Sequence, residues 1–575
     1  MRALVEAWIA GDPDPEAAAE LKGLLDRGDE AELRDRFDGR LQFGTAGLRG
    51  ILGAGPNRMN RAVARQATAG LARHLLATRP GEASRGVVVG RDARRLSDEM
   101  ACDTAGVLAA HGIPALVLPD PAPTPLAAFA LKELGAAAAV VVTASHNPPE
   151  YNGYKVYWGN GAQIIPPTDA GIAAEIERAG AASAIPCLSE SEARSRGLWR
   201  DVPAGAGASW IEGILGEQRN PGKGRDAVVV TTALHGVGGE WLERALRQAG
   251  FSSVHPVPEQ QEPDGRFPTV SFPNPEEKGA LDLSLALAEA RRADILLAND
   301  PDADRLAVGA RDREGRMRIF SGNETGVLLG HYALTQRPAG RAAAAGKPLV
   351  LATIVSSSQL GAIARDLGAR YEETLTGFKW LMNRAIAVEA AEGASTVFAY
   401  EEALGYCAGT VVRDKDGVGA GVLFADLCGW CRARGVSAWD YLEEIQRAHG
   451  LFVSGQRSLT RPGSGGAAEL AATMQALRSS PPSEIAGERV VSVRDYSLGV
   501  IRENGAERPT GLPRSNVLAF FLEGGGRVTV RPSGTEPKVK FYFERREIPA
   551  PGESVASARG RAEEKLSAMV SAFKP

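Results

Sequence analysis

Six short apolar runs, each ending in a polar loop, constrain the fold of this chain more than anything else in it. They are RGVVVGRDARR, AAAAVVVTASHN, RDAVVVTTALHG, ADILLANDPDADR, KPLVLATIVSSS and STVFAYEEALG. Uninterrupted runs of Val, Ile, Leu and Ala suit strands covered on both faces, and amphipathic stretches between them, such as DLSLALAEARR, suit crossover helices. An α/β pattern repeated along the chain is expected. Near residue 450 the pattern changes, because NVLAFFLEGGGRVTVRPSGTEPKVKFYFE reads as short strands joined by Gly-rich turns, which favours an antiparallel sheet. Breaks near 203–209, 320–323 and 447–455 divide the sequence into 1–205, 206–320, 321–449 and 450–575.

With 575 residues, 44% of them hydrophobic, the chain is long enough for several cores. A formal charge of −4, without a block of like charge, argues against a nucleic-acid partner. No apolar segment approaches a membrane span and the start MRALVEAWIAGDPDPEAAAE lacks a signal-peptide core, so a cytoplasmic protein is expected. Cys428 and Cys431 form C-G-W-C, but no second Cys pair or histidine stands at ligand spacing, and both read as small residues of a helix. Asn323-Glu324-Thr325 matches a glycosylation sequon, which has no meaning in that compartment.

Ligands of open α/β sheets gather at the carboxyl ends of strands, where Ser145, Asp300 and Glu401 all stand. In NDPDADR the spacing of Asp300, Asp302 and Asp304 places three carboxylates on one side of an extended loop. Their repulsion calls for a hard divalent cation. A calcium loop of the EF-hand type needs glycine and an acidic ligand where Arg305 and Arg311 stand, so Mg²⁺, completed by water and a phosphate oxygen, fits better. Ser145 has no Ser-His-Asp order around it, and on an extended segment the Ser145 and His146 side chains point apart, which disfavours a hydrolase triad. A serine that carries a phosphoryl group needs cations and a metal instead, although TASHNPP also reads simply as a polar turn that ends a strand.

In RVTVRPSGTEPKVKFY, the residues Arg531, Ser533, Gly534, Thr535, Lys538 and Lys540 crowd one turn as a phosphate cradle would, though Pro-Ser-Gly is also ordinary turn chemistry. YEEALGY and RDKDG supply carboxylates for sugar hydroxyls and Lys415 for a phosphate, or else form a solvated loop. Gly417, Gly419 and Gly421 lack the strand and full fingerprint of a nucleotide loop.

Together, and in this order, TASHNP, DPDADR, EEALGY and RPSGTEPK resemble the phosphoserine, metal, sugar-recognition and phosphate-binding loops of the α-D-phosphohexomutase superfamily. FGTAGLRG with GAGPNRMN, FPNPEE, TLTGFKW and DKDG are similar to its branch of phosphoglucomutases with phosphopentomutase relatives. The resemblance covers nearly the whole chain. It implies three similar α/β domains with mixed sheets and a smaller C-terminal α+β domain with an antiparallel sheet, around a central cleft. It also implies that Ser145 is phosphorylated and joins Asp300, Asp302 and Asp304 in holding Mg²⁺. Arg49 and His146 would surround the transferring phosphate, and Lys155 would be the general acid/base. Arg305, Thr376, Gly377, Lys379, Glu401 and Lys415 would line the sugar side, and Arg531, Ser533, Gly534 and Thr535 would grip the phosphate that stays in place.

The implied activity is isomerisation of glucose 1-phosphate and glucose 6-phosphate through a bound sugar 1,6-bisphosphate, with small sugar phosphates as the partners and monomer or dimer left open. Ala403, where many glucose-specific relatives carry serine, removes a sugar hydrogen bond and keeps a phosphopentomutase reading open. A phosphatase and a non-catalytic sugar-phosphate-binding protein are the remaining alternatives.

Overall fold

All six apolar runs are strands in the computed structural model, which describes residues 1–44, 47–336, 346–461, 466–532 and 538–573. They are Val87–Arg91, Ala138–Val142, Val228–Thr232, Ile295–Asn299, Pro348–Thr353 and Ser395–Glu401. Every residue of Ala138–Val142 and of Ile295–Asn299 is buried, as strands covered on both faces require. Contacts divide the chain into two units, 1–320 with 403–435 and 321–402 with 436–575.

The first unit holds two mixed sheets of similar design. In one, Ala138–Val142, Val87–Arg91, Ala115–Val117 and Trp199–Asp201 run parallel, and Tyr151–Trp158 and then Leu48–Ile51 are added antiparallel at one edge. In the other, Ser253–Pro256, Val228–Thr232 and Ile295–Asn299 run parallel, and Leu306–Arg311 and Met317–Ile319 return antiparallel. In each case a parallel strand reaches its carboxyl end and the next strand of the chain turns straight back beside it. Ser145 lies in the first of these connections and the Asp triplet in the second.

Residues 403–435 contribute a strand, Gly405–Ala408, and a helix, Gly417–Ala433. The Asp416 carboxylate caps the helix by accepting from the Gly419 N–H at 2.8 Å. This segment packs on the second connection, since Leu306 N–H donates to the Leu404 carbonyl at 3.0 Å and Gly417 N–H to the Ala303 carbonyl at 3.1 Å. Gly417 has to be glycine there, because a Cβ would lie 2.3 Å from the Arg305 carbonyl oxygen. The glycines of this stretch thus serve close packing. Cys428 and Cys431 lie on the same helix, and burial pushes the Cys428 thiol well above its ordinary range, which disfavours a reactive thiolate.

In the second unit, Arg370–Thr374, Pro348–Thr353 and Ser395–Glu401 run parallel. The sheet that begins at Leu451–Thr460 is antiparallel throughout. Helices Gly466–Ser479 and Val555–Ala572 pack Leu470, Met474 and Met569 against its Phe520, Val528 and Phe541. Among the described residues no helix is long and apolar enough to cross a membrane.

One partly buried histidine ties the stability of this unit to pH. His331 Nδ1 lies 2.6 Å from the Tyr441 hydroxyl, and burial together with the nearby His449 lowers its pKa to about 4. A histidine with a depressed folded pKa contributes stability that is full above its unfolded value and is lost as pH falls towards the folded one. Chemical denaturation is therefore expected to show a loss between about pH 6.5 and pH 4 that His331→Gln reduces by up to about 3 kcal/mol.

Candidate active site

The loop after Ala138–Val142 is built by side chains from the loop after Val87–Arg91. Ser145 adopts φ 56°, a left-handed conformation that costs a non-glycine residue about 1 to 3 kcal/mol unless its surroundings impose it. They do. Thr143 Oγ1 accepts the Ser145 N–H at 2.8 Å and donates to Asp92 at 2.6 Å. Arg94, 3% exposed, donates to the carbonyl oxygens of Ser145, Asn147, Pro148 and Tyr151 at 2.6, 2.5, 2.8 and 3.1 Å. An ion pair with Asp92 at 3.2 Å compensates the buried guanidinium.

The turn corrects one expectation. Ser145 and His146 are not on an extended segment, and their side chains do not point apart, for the Ser145 Oγ lies 3.4 Å from His146 Nδ1. Among the described residues no carboxylate is seen hydrogen-bonded to His146 to complete a triad. The Ser145 hydroxyl instead donates to Asp300 Oδ2 at 2.7 Å. Burial and the cations Arg305 and Arg49 hold the His146 pKa well below its ordinary value, so the ring is neutral at pH 7.

Asp300, Asp302 and Asp304 are each 0% exposed and offer one oxygen apiece within 4.8 Å of the others. The loop is not extended either. It turns, with Ala303 at φ 58°, and the turn brings the carboxylates together more closely than an alternating strand would. Asp300 accepts the Arg305 N–H at 3.0 Å, and Thr124 Oγ1 donates to Asp302 Oδ2 at 2.7 Å. Lys155, also 0% exposed, donates to Asp302 at 2.6 Å and to Asp304 at 2.7 Å. Lys415 Nζ approaches Asp304 to 3.1 Å and Arg305 Nε to 3.9 Å.

These partners separate the carboxyl groups electrostatically. Burial and the charges of Asp302 and Asp304 push Asp300 well above the usual carboxylate range. Burial raises Asp302 and Asp304 too, and the Asp304 charge adds to it at Asp302, but Lys155 with Thr124 at Asp302, and Lys155 with Lys415 and Arg305 at Asp304, together hold both below that range.

The donor set fits a hard divalent cation. Asp302 Oδ1 and Asp304 Oδ1 are buried and have no hydrogen-bond partner, and an all-oxygen cluster beside a serine hydroxyl matches the preference of Mg²⁺. Ser145, Asp300, Asp302 and Asp304 are the residues that would hold it.

Of the expected site residues, the first unit thus gathers Ser145, His146, Lys155, Asp300, Asp302, Asp304, Arg305 and Lys415, with Arg49 donating to Asn147 Oδ1 at 3.2 Å. Lys415 and Arg305 stand beside Asp304, a member of the carboxylate cluster. Asp414 fixes Lys415 from behind, accepting from Tyr157 Oη and Gln163 Nε2, both at 2.6 Å.

In the second unit, Thr376 and Gly377 precede helix Phe378–Glu392, with Gly377 at φ 116° and Lys379 in its first turn. Glu401 ends its strand, and Arg531 pairs with Lys540 across two strands of the antiparallel sheet. Ser533, Gly534 and Thr535 lie outside the described residues. Nothing in the local sequence singles out Asp92 or Arg94 beyond their place after one of the apolar runs. Thr124 carries no sequence signal at all.

Family models match four successive segments, described as phosphoglucomutase/phosphomannomutase α/β/α domains I, II and III over residues 40–183, 208–314 and 321–448, and the C-terminal domain over 488–551. A Haemophilus influenzae protein named "Probable phosphomannomutase" is 41% identical over 493 residues, 85% of this chain and 93% of its own. A Mus musculus phosphopentomutase is 37% identical over 93% of this chain and 89% of its own. A Homo sapiens glucose 1,6-bisphosphate synthase is 34% identical over 93% and 88%.

The metal fit is directly measurable. Titration with Mn²⁺ as a paramagnetic probe is expected to show one tight site per chain, and Asp302→Asn or Asp304→Asn to weaken it at least about tenfold.

Proposed function

We propose, from the premise that the chain belongs to the phosphoglucomutase/phosphomannomutase family and is a phosphosugar mutase, that it moves a phosphoryl group between O1 and O6 of glucose through a phosphoserine at Ser145 and a bound glucose 1,6-bisphosphate. The observation that carries this reading is the buried Ser145 hydroxyl 2.7 Å from Asp300, inside a carboxylate cluster balanced by lysines. Mg²⁺, when bound there, withdraws charge from the phosphoryl oxygens.

The chain's own residues carry the other roles in this reading. Arg94 holds the serine loop rigid through four carbonyls, so that the phosphoryl group is presented in one place. Arg49 and neutral His146 hydrogen-bond its oxygens. Lys155, with Nζ between Asp302 and Asp304, is the general acid/base of this reading: once one of its protons has passed to a neighbouring carboxylate, the neutral amine takes the proton of the accepting sugar hydroxyl and returns it to the leaving oxygen.

Arg305 and Lys415 stand where they balance Asp304 as well as hold the sugar phosphate. Thr376, Gly377, Lys379 and Glu401 recognise the sugar, and Arg531 with Ser533, Gly534 and Thr535 holds the phosphate that is not transferred. The division into 1–205, 206–320, 321–449 and 450–575 assigns these four tasks to four successive regions.

A second reading replaces glucose by ribose or deoxyribose 1-phosphate. Ala403 favours it, since no hydroxyl stands there for a hexose, and so does the similarity to a phosphopentomutase. Rates on glucose, mannose, glucosamine, ribose and deoxyribose 1-phosphates decide between the two. Glucose 1-phosphate is expected to give the highest kcat/KM, and a pentose 1-phosphate in that place replaces the first reading by the second. Ser145→Ala is expected to lower turnover about 10⁴-fold or more while sugar-phosphate binding persists, and near-normal turnover in that variant removes the phosphoserine mechanism.

A further inference from the structure

We propose that the segment 262–276, through Phe272 above all, keeps water away from phosphorylated Ser145 and so determines that the phosphoryl group passes to a sugar and not to water. The proposal rests on the phosphoserine reading of Ser145.

The segment belongs to a connection without helix or strand that runs from residue 262 to 281. Connections of that length inside a folded unit are uncommon unless they perform a function. This one lies against His146, next to the serine, and against Arg94, which binds the serine's carbonyl. Phe272 lies beside His146 with the two rings nearly parallel, centroids 6.2 Å apart and planes within 12°. Phe267, 3% exposed, covers the Arg94 guanidinium at 4.8 Å. The backbone of the segment also comes close to the loop that carries Arg94, for a Cβ on Gly265 would lie 2.5 Å from the Ala93 carbonyl oxygen and 2.7 Å from Arg94 Cα.

The strap is also fastened. Thr269 Oγ1 lies 2.8 Å from His235 Nε2 and accepts from Gln260 Nε2 at 2.8 Å, while Gln260 Oε1 accepts from Thr232 at 2.6 Å. His235 N–H donates to the Gln260 carbonyl at 3.0 Å, and its own carbonyl accepts the Asp264 N–H at 2.9 Å. Leu234, His235 and Phe267 all hold left-handed backbone, at φ 48°, 60° and 48°, and Leu234, Phe267 and Val270 form a small apolar cluster beneath. Residues 264–270 are thereby fastened beside the loop that carries Arg94, and Phe272 follows two residues later beside His146.

The chemistry at stake is a competition between acceptors. When water takes the place of a sugar hydroxyl, its oxygen forms a bond to phosphorus and the bond from phosphorus to Ser145 Oγ breaks. One water proton is transferred to the serine oxygen, and orthophosphate leaves with the remaining one. An apolar ring beside His146 offers water no hydrogen bond on that side and so disfavours its approach to the phosphoryl group.

The test follows the lifetime of the phosphoenzyme with no sugar acceptor present. Wild-type protein, Phe272→Ala and Phe272→Tyr are each loaded with glucose 1,6-bisphosphate and Mg²⁺ and freed of sugar, and the phosphorylated fraction is followed by intact mass. Phe272→Ala is expected to shorten the lifetime about tenfold and to raise orthophosphate release relative to isomer formation by the same factor, with Phe272→Tyr close to wild type. An unchanged lifetime in Phe272→Ala overturns the role of the strap and leaves the phosphoserine reading standing. Wild-type protein that acquires no phosphate on Ser145 overturns both. Phe272 is only half-buried, so loss of its ring is not expected to unfold the chain.

Discussion

Three carboxylates, each shielded from water and within 4.8 Å of the others, are the constraint around which the first unit is arranged. A buried ion costs several kcal/mol unless a well-placed counter-charge offsets it. Lys155 comes from one sheet, Arg305 from the connection in the other, and Lys415 from the segment 403–435. Each is held where it is by that need. Charge balance also explains why residues 403–435 group with 1–320: Gly417 approaches the Asp loop closely enough to carry Lys415 and its partner Asp414 with it. Among the described residues Asp302 Oδ1 and Asp304 Oδ1 accept no hydrogen bond, and they are the atoms a divalent cation would satisfy.

Topology delivers the two reactive loops in equivalent ways. In both mixed sheets a parallel strand ends and the chain returns antiparallel beside it, so each loop is short, begins at the carboxyl end of a buried strand, and has both ends fixed by a ladder of backbone hydrogen bonds. Such loops hold side chains more rigidly than a free connection to a crossover helix. The return strand has a second effect in the first sheet. Register opposes Lys155 to Val141 and Arg49 to Gly153, which places two of the expected site residues on neighbouring antiparallel strands.

Much of this was legible in the sequence. The six apolar runs and the Gly-rich turns after residue 450 are local signals, and local periodicity is what a sequence displays most directly. Asp300, Asp302 and Asp304 were legible as a cluster for the same reason. Their geometry was not, because a turn at Ala303 rather than an extended run brings the oxygens together. The same holds for Ser145, whose left-handed conformation depends on Asp92 and Arg94, more than fifty residues earlier in the chain. An arginine that binds four carbonyls leaves no pattern among its own neighbours. Lys155 and Arg49 were found only through family resemblance, since a lysine in a buried strand gives no sign of the carboxylates it will meet.

The absence of an activating base beside Ser145 follows from the same charge balance. A triad needs a carboxylate behind the histidine to stabilise the imidazolium that forms when serine gives up its proton. Here burial, joined by the charges of Arg305 and Arg49, disfavours protonation of His146, so the ring serves as a neutral hydrogen-bonding partner. The hydroxyl instead faces Asp300, the member of the cluster that its two neighbours push towards the protonated form. That arrangement suits a serine that exchanges a phosphoryl group inside a field fixed in advance, in which preorganised charge rather than a local base stabilises the transferring oxygens.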